Sequence, residues 1–282
     1  MTAAAEALHY AQPSVSHQLA KLEAGVGVPP LQRTGRGIRL TEAGRLLVER
    51  AESILAQVES VHAELDELAG LRTGRIRPAA FPSALATLVP LAAARVSAEH
   101  TAVELTLREA EPPDALNCLR NNDVDVALIF EHGDPPQRDR RDTTTTPLLD
   151  EPLYVVTTAN RCWEGPRAEL ATYADARWIA GCERCREHLV AAWGRAGSEP
   201  AVEFETDDYV AVQALVAAGL GVSLLPGLTL LANRHPGVSL HRIPGMRRQV
   251  VAAVYGKPPA SRPAQVLLDA LAATVTEPAW PS

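Results

Sequence analysis

Aromatic side chains are scarce, at 4% of 282 residues. Binding single-stranded nucleic acid by stacking needs rows of such rings, so that class of activity is excluded as the main one. No apolar run approaches the roughly 18–20 residues of a membrane span. The opening MTAAAEALHYAQ lacks the basic start of a secretory leader, which predicts a cytoplasmic protein with no membrane partner. Cysteine is sparse as well. Cys118, Cys162, Cys182 and Cys185 are expected to be reduced thiols rather than a disulfide framework. A nucleophile elbow, a phosphate loop and a metal-ligand cluster are all missing, so neither catalysis nor a cofactor or metal is expected. What remains is an ordinary globular composition, 46% apolar and 22% charged, with room for one small and one larger domain.

Positive charge is in deficit, with a net charge of −7, but the deficit is uneven. Residues 9–45 carry Lys21, Arg33, Arg36, Arg39 and Arg45 against Glu23 and Glu42. Residues 78–282 carry 18 basic and 25 acidic side chains. Only the N-terminal segment is drawn to a phosphate backbone, and modestly.

That segment reads as a helix, a turn and a helix. Thr2 caps a short Ala-rich helix, AAAEALHY. Pro13 suits the first turn of the next helix, where a missing N–H costs nothing. Val15, Leu19 and Leu22 then fall on one stripe, predicted to be buried. Gln12, Ser14, Ser16, His17, Gln18 and Lys21 occupy the start and the opposite face. Such groups suit base edges and phosphates in a major groove, although periodicity alone favours a plain solvated face.

The order of residues decides between these readings. The run AAEALHYAQPSVSHQLAKLEAGVGVPPLQRTGRGIRLTEAG closely resembles the DNA-binding head of the LysR family of bacterial transcription regulators. The shared skeleton includes Leu8, Gln12, Pro13, Ser14, Ser16, Leu19, Leu22, Gly27, Arg33, Arg36, Leu40, Thr41 and Gly44. The resemblance implies a winged helix-turn-helix with a recognition helix from about Pro13. It also implies a wing over residues 28–40, with Arg33 and Arg36 near the DNA backbone. Three departures stand out. The family's first helix lies upstream of the segment present here, which predicts a truncated head. Pro30-Leu31 replaces the usual Leu-Phe pair, so a missing ladder donor is expected to make the wing irregular. Ala11 stands where a serine is common.

From Thr41 onward, Leu47, Ala51, Ile54, Val58, Val61, Leu65 and Leu68 repeat at alternating spacings of 4 and 3, with Gly70 as terminator. This narrow seam predicts a dimerising helix over 41–71 and fits the family's linker, which pairs two heads on one duplex.

Beyond residue 71 strands and helices alternate. Strands are predicted at 75–80, 103–108, 124–130, 152–158, 177–180, 202–206, 222–225 and 249–255. Helices are predicted at 83–98, 113–121, 184–196, 208–218 and 262–274. The polar segment 131–146 reads as a long exposed loop. The alternation gives an α/β fold with mostly parallel strands. VELTLREAEPPDALNCLRNNDVDVALIF, LLDEPLYVVTT and FETDDYVAVQALVAAGLGVSLLP resemble segments of the LysR effector-binding domain. That likeness implies a two-lobed domain similar to periplasmic binding proteins, with the first lobe at 75–149 plus 257–282 and the second at 150–256. The fold class is therefore α+β and multi-domain.

In such folds ligands lie at strand carboxyl ends, beside helix N-termini. Ser83, Glu111, Pro112, Ile129, Phe130, Cys182, Thr206 and Asp207 are the resulting effector-site candidates. Ser83 and the Thr206-Asp207 pair also read as simple helix caps. No arginine stands at these positions to demand a carboxylate. GCERCREHL sets Cys182 and Cys185 at CxxC spacing near a helix start, with His188 following; a zinc site would need ligands that are not apparent. Two small packed cysteines and a dithiol sensor both fit.

The resemblance thus implies a regulator that binds duplex promoter DNA as a homodimer or homotetramer. It works with RNA polymerase and answers to an unidentified small-molecule effector. The alternatives are a ligand-binding module whose truncated head no longer holds DNA, and a cysteine-based redox sensor.

Overall fold

In this computed structural model the described residues are 11–34, 37–48, 50–51, 54–55, 58, 61, 74–133, 143–160, 169–195, 197–256, 258, 260–275 and 280–281. Contacts divide the chain into two units, Met1–Leu65 and Asp66–Ser282. The helix predicted after Thr2, and Arg36, Leu65 and Leu68, lie outside the described residues.

In the first unit, helix α1 (Gln12–Val26) carries Pro13 in its first turn and ends at Gly27. Its predicted buried stripe is only half covered: Val15 and Leu19 are half-buried, while Leu22 is 42% exposed. An antiparallel hairpin follows, β1 (Leu31–Thr34) with β2 (Gly37–Leu40). The wing is therefore regular, against the expectation drawn from Pro30. The proline lies just ahead of β1, so no ladder donor is lost, and its carbonyl instead accepts from Thr41 N at 3.0 Å. Thr41 caps the connecting helix, its hydroxyl accepting from Gly44 N at 3.0 Å. A Cβ on Gly44 would stand 2.0 Å from Pro30 O, so only glycine fits where hairpin and helix touch. The connecting helix is seen at 42–48, 50–51, 54–55, 58 and 61. Ile54, Val58 and Val61 of its seam are 61%, 47% and 52% exposed.

The second unit is a two-lobed α/β structure. Its elements begin with β3 (Arg75–Ile76), β4 (Pro78–Ala80), α2 (Pro82–Leu85), α3 (Leu88–Glu99), β5 (Glu104–Leu105), β6 (Arg108–Glu109), α4 (Pro112–Arg120) and β7 (Val126–Glu131). The chain continues through β8 (Thr143–Thr158), a 3₁₀ turn (Leu170–Tyr173), β9 (Arg177–Ala180), α5 (Glu183–Arg195), β10 (Ala201–Glu205) and α6 (Tyr209–Ala217). It closes with β11 (Val222–Pro226), α7 (Gly227–Ala232), β12 (Val238–Tyr255) and α8 (Arg262–Thr274). Among these residues no helix is long and apolar enough to cross a membrane.

Sheet order is β10-β9-β11-β8-β12-β7-β4-β6. At each end the strands run parallel, β6, β4 and β7 in one lobe and β10, β9 and β11 in the other. Long antiparallel β8 and β12 pass through both lobes. Their pairing skips between Arg242 and Arg247, where Gly245 takes a φ of 78° that a side chain would strain. This skip corrects the expected boundary at residue 256. Gln249–Ala253 pair with β7 and so belong to the first lobe. The loop expected over 131–146 is also shorter, because Thr143–Thr146 are strand and pair with Tyr255–Ala252. Four successive threonines favour a pleated backbone for the β-branching that stiffens their side chains.

Strand alternation sorts the first lobe's core. Ala80, Leu128, Phe130, Val250 and Ala252 face one cluster with α3 and α8. Ala79, Ala127, Ile129, Val251 and Ala253 face another with α4. Each fully buried Val, Leu, Ile or Phe side chain among these contributes about 1.5–3 kcal/mol.

Candidate functional site between the lobes

Arg248 and Glu151 are cross-strand partners in β12 and β8, beside the crossing. Both side chains are fully buried, and Nε of Arg248 donates to Glu151 Oε2 at 2.6 Å. The other oxygen of Glu151 accepts from Leu228 N in the first turn of α7, at 2.6 Å. Nη2 of Arg248 donates to Ser83 Oγ in α2 at 2.9 Å. The guanidinium lies over two aromatic faces, 4.1 Å from the Phe130 centroid and 4.9 Å from that of Phe81. Desolvated contacts of this kind are worth about 2 kcal/mol. Burial disfavours the charged form of Arg248, but the Glu151 carboxylate outweighs it and the pKa is raised. Nη1 has no hydrogen-bond partner among the described residues.

Around this pair lie groups from both lobes. Glu111 is the N-cap residue of α4; burial raises its pKa, opposed by the Cys182 thiol and by Arg248. His132, at the end of β7, stacks on His188 of α5 with ring centroids 3.8 Å apart. Burial first, then the neighbouring imidazole and arginines, push the His132 pKa down to about 2, so this ring is neutral. Cys182 and Cys185 stand with sulfurs 2.9 Å apart. Tyr209 opens α6, and burial raises its phenol pKa. A cavity of about 10 Å³ bordered by His132, Cys185, His188 and Arg248 has room for about one water. The lobes are thus closed on their own side chains.

A larger groove of about 560 Å³ opens at the carboxyl ends of β9 and β10, lined by Gly181, Glu183, Arg186, Glu205, Thr206 and Asp207. Arg186 and Glu205 form an exposed ion pair there at 2.7 Å.

Of the sequence candidates, Ser83, Glu111, Phe130 and Cys182 come together at the interlobe cluster, and Thr206 and Asp207 line the groove. Pro112 is buried at the first position of α4. Ile129 is not brought to the site: strand alternation turns it into the α4 core while Phe130 faces Arg248. No arginine stands at the candidate positions themselves, but Arg248 reaches the site from β12. In sequence it is one of two adjacent arginines in HRIPGMRRQVV, in the middle of β12 and just ahead of the predicted strand over 249–255. Glu151, His132 and Tyr209 were missed for the same reason: nothing local marks which face or lobe they meet.

On the first unit, Gln12, Pro13, Ser14, Ser16, His17, Gln18 and Lys21 are all in α1 and exposed. Arg33 lies in β1.

Comparison with known proteins gives this geometry its context. Residues 1–45 match the family model "Bacterial regulatory helix-turn-helix protein, lysR family", and residues 69–276 match "LysR substrate binding domain". GltC, a transcriptional dual regulator of Bacillus subtilis, is 29% identical over 77% of this chain and 72% of its own. OxyR, a DNA-binding transcriptional dual regulator of Escherichia coli, is 27% identical over 92% and 86%. Among solved structures, full-length CbnR complexed with its target DNA superposes with a TM-score of 0.64 at 21% identity, over 97% of this chain and 93% of that one. With family models covering both units, the chain belongs to the LysR family of DNA-binding transcription regulators with an effector-binding domain.

Proposed function

We propose that this chain works in the cytoplasm as a promoter-binding homodimer, or a pair of such dimers, without enzymatic activity. A small-molecule effector takes the interlobe site, and its presence changes how paired recognition helices are spaced on the duplex for RNA polymerase. The observation that carries this reading is the Arg248 network. One guanidinium links Ser83 in the first lobe to Glu151 at the crossing, and through it to the start of α7. Leu228 of α7 packs in the first lobe's core and Leu230 in the second's. A ligand entering here has to part these contacts, so it binds open and closed arrangements with different affinity, which is what a regulatory equilibrium requires. In the groove, Thr206 and Asp207 complete the site.

For DNA, the exposed Gln12, Ser14, Ser16, His17, Gln18 and Lys21 form the reading face of α1. Arg33 and Arg36 contact phosphates from the wing. A footprint of the protein on the DNA beside its own gene, at stated salt, tests this. Ser16→Ala or Gln18→Ala is expected to weaken protection by about 1–3 kcal/mol per lost base contact. Protection unchanged in both variants would remove α1 as the reading helix.

A further inference from the structure

The two lobes meet on α7, which is too short to hold its own place. A helix of 6 residues is below what a chain sustains alone, so contacts set its position. Leu228 N donates to Glu151, Leu228 packs in the first lobe's core, and Leu230 packs in the second's. The seat is imperfect, because Thr229 Oγ1 is buried with no hydrogen-bond partner among the described residues. A further contact comes from the segment after α8. That helix buries Leu267 and Leu271 in the first lobe's core, and beyond it Trp280 returns to pack against the same core. The edge of the indole lies on Gly227, the first residue of α7, where a Cβ would stand 2.7 Å from both Cε3 and Cζ3 of Trp280. It would also stand 3.4 Å from the carbonyl of Pro152, which pairs with Arg247 beside the Glu151–Arg248 pair. No left-handed φ calls for glycine at this position; the ring does.

We propose that the segment after α8 is a strap over the interlobe site: Trp280, seated on Gly227, pins α7, and it lifts before the lobes part. The effect of the strap on DNA rests on the interlobe site governing DNA binding. Trp280 suits this work because it is only half-buried, so its ring can leave the surface without opening the core beneath. An indole also covers a large apolar area with few rotatable bonds. In sequence Pro278 and Pro281 flank it, and proline narrows the conformations of the free segment, so seating the ring orders little chain. With the ring seated, Leu228 N stays on Glu151, and Arg248 stays between Glu151 and Ser83. With the ring lifted, α7 is free to turn, the Thr229 hydroxyl reaches water, and the Glu151 carboxylate loses one of these two partners. The strap therefore sets how much open protein an effector meets.

The test compares the full chain with Trp280→Ala, Trp280→Phe and Gly227→Ala by hydrogen exchange and promoter footprinting. In Trp280→Ala, peptides spanning α7 should exchange about tenfold faster than in the parent, while β7 stays protected over the same period and so reports a folded protein. Trp280→Phe keeps a ring on Gly227 and should fall between the two. Gly227→Ala pushes the ring off with Trp280 intact, so it should loosen α7 as Trp280→Ala does and add nothing in that background. The concentration giving half-protection of promoter DNA should shift about tenfold in both alanine variants. Unchanged exchange of α7 in the alanine variants that keep β7 protected overturns the strap. Gly227→Ala loosening α7 equally with and without Trp280 overturns it too, since the ring is then not what the glycine admits. Faster exchange of α7 with DNA protection unchanged defeats the functional reading instead, and the strap stands. A parent that protects no DNA also counts against that reading, and exchange alone then decides the strap.

Discussion

Arg248 holds a positive charge where water does not reach, and its neighbours determine the consequences. Losing either member of a buried pair strands the other, at about 3–5 kcal/mol, whereas losing both is far less costly. Arg248→Met and Glu151→Gln are each expected to lower urea-unfolding stability by that amount, with the double variant losing far less than the sum of the two. The Gln still accepts from Leu228 N, so the cycle isolates the ion pair. Strict additivity would show that the pair is not coupled. His132 gives a second prediction. Its folded pKa of about 2 lies below the ordinary 6.5, so the unfolded chain binds the extra proton. Its contribution is present above pH 6.5 and is lost as pH falls, by about 2 kcal/mol between pH 7.5 and 5. Glu111 works the other way, since its raised pKa makes the folded state the better proton acceptor near and above 4.5. His132→Phe keeps a ring against His188 without the proton and should flatten the acid limb measured by thermal unfolding between pH 5 and 7.5.

Among the elements, the connecting helix carries the prediction with the widest reach. Ile54, Val58 and Val61 recur at 4 and 3 and stand exposed, as a seam awaiting a second helix would. If the seam pairs two chains as proposed, the parent should sediment as a dimer, and Val58→Asp should sediment as single chains and lose promoter protection at concentrations that suffice for the parent. A variant that stays dimeric would place the self-association elsewhere. Helix and strand positions were largely legible: 177–180 and 262–274 agree residue for residue with β9 and α8. The elements that escaped share a cause. Val238–Arg248 mixes apolar with basic residues and a Pro-Gly turn, and α7 is a single short turn of apolar residues. Neither carries a clean period, and both are held by partners distant in sequence.

For the whole molecule, the acidic effector unit and the modestly basic head set the terms of DNA binding. Few phosphates are neutralised by a segment with so small a positive surplus. The logarithm of affinity should therefore fall with that of salt on a shallow slope, about −0.9 for each phosphate contact. Footprints repeated from low to physiological salt check this; a steep slope would mean that basic residues elsewhere reach the duplex. The candidate site was half legible, because Ser83, Glu111, Phe130 and Cys182 sit at strand ends and helix starts, which local pattern marks. Arg248 and Glu151 become neighbours only through the register of two strands 97 residues apart.

By itself the sequence determined the family, the order of head, stalk and α/β domain, and the polar face of α1. These depend on residue order and on periods of a few residues. Tertiary structure alone decided that β8 and β12 cross both lobes, that Phe130 and not Ile129 faces the site, and that a buried arginine, two imidazoles and two thiols share one small volume. Pairing register and face are set by contacts between distant segments, and no local stretch of chain encodes them.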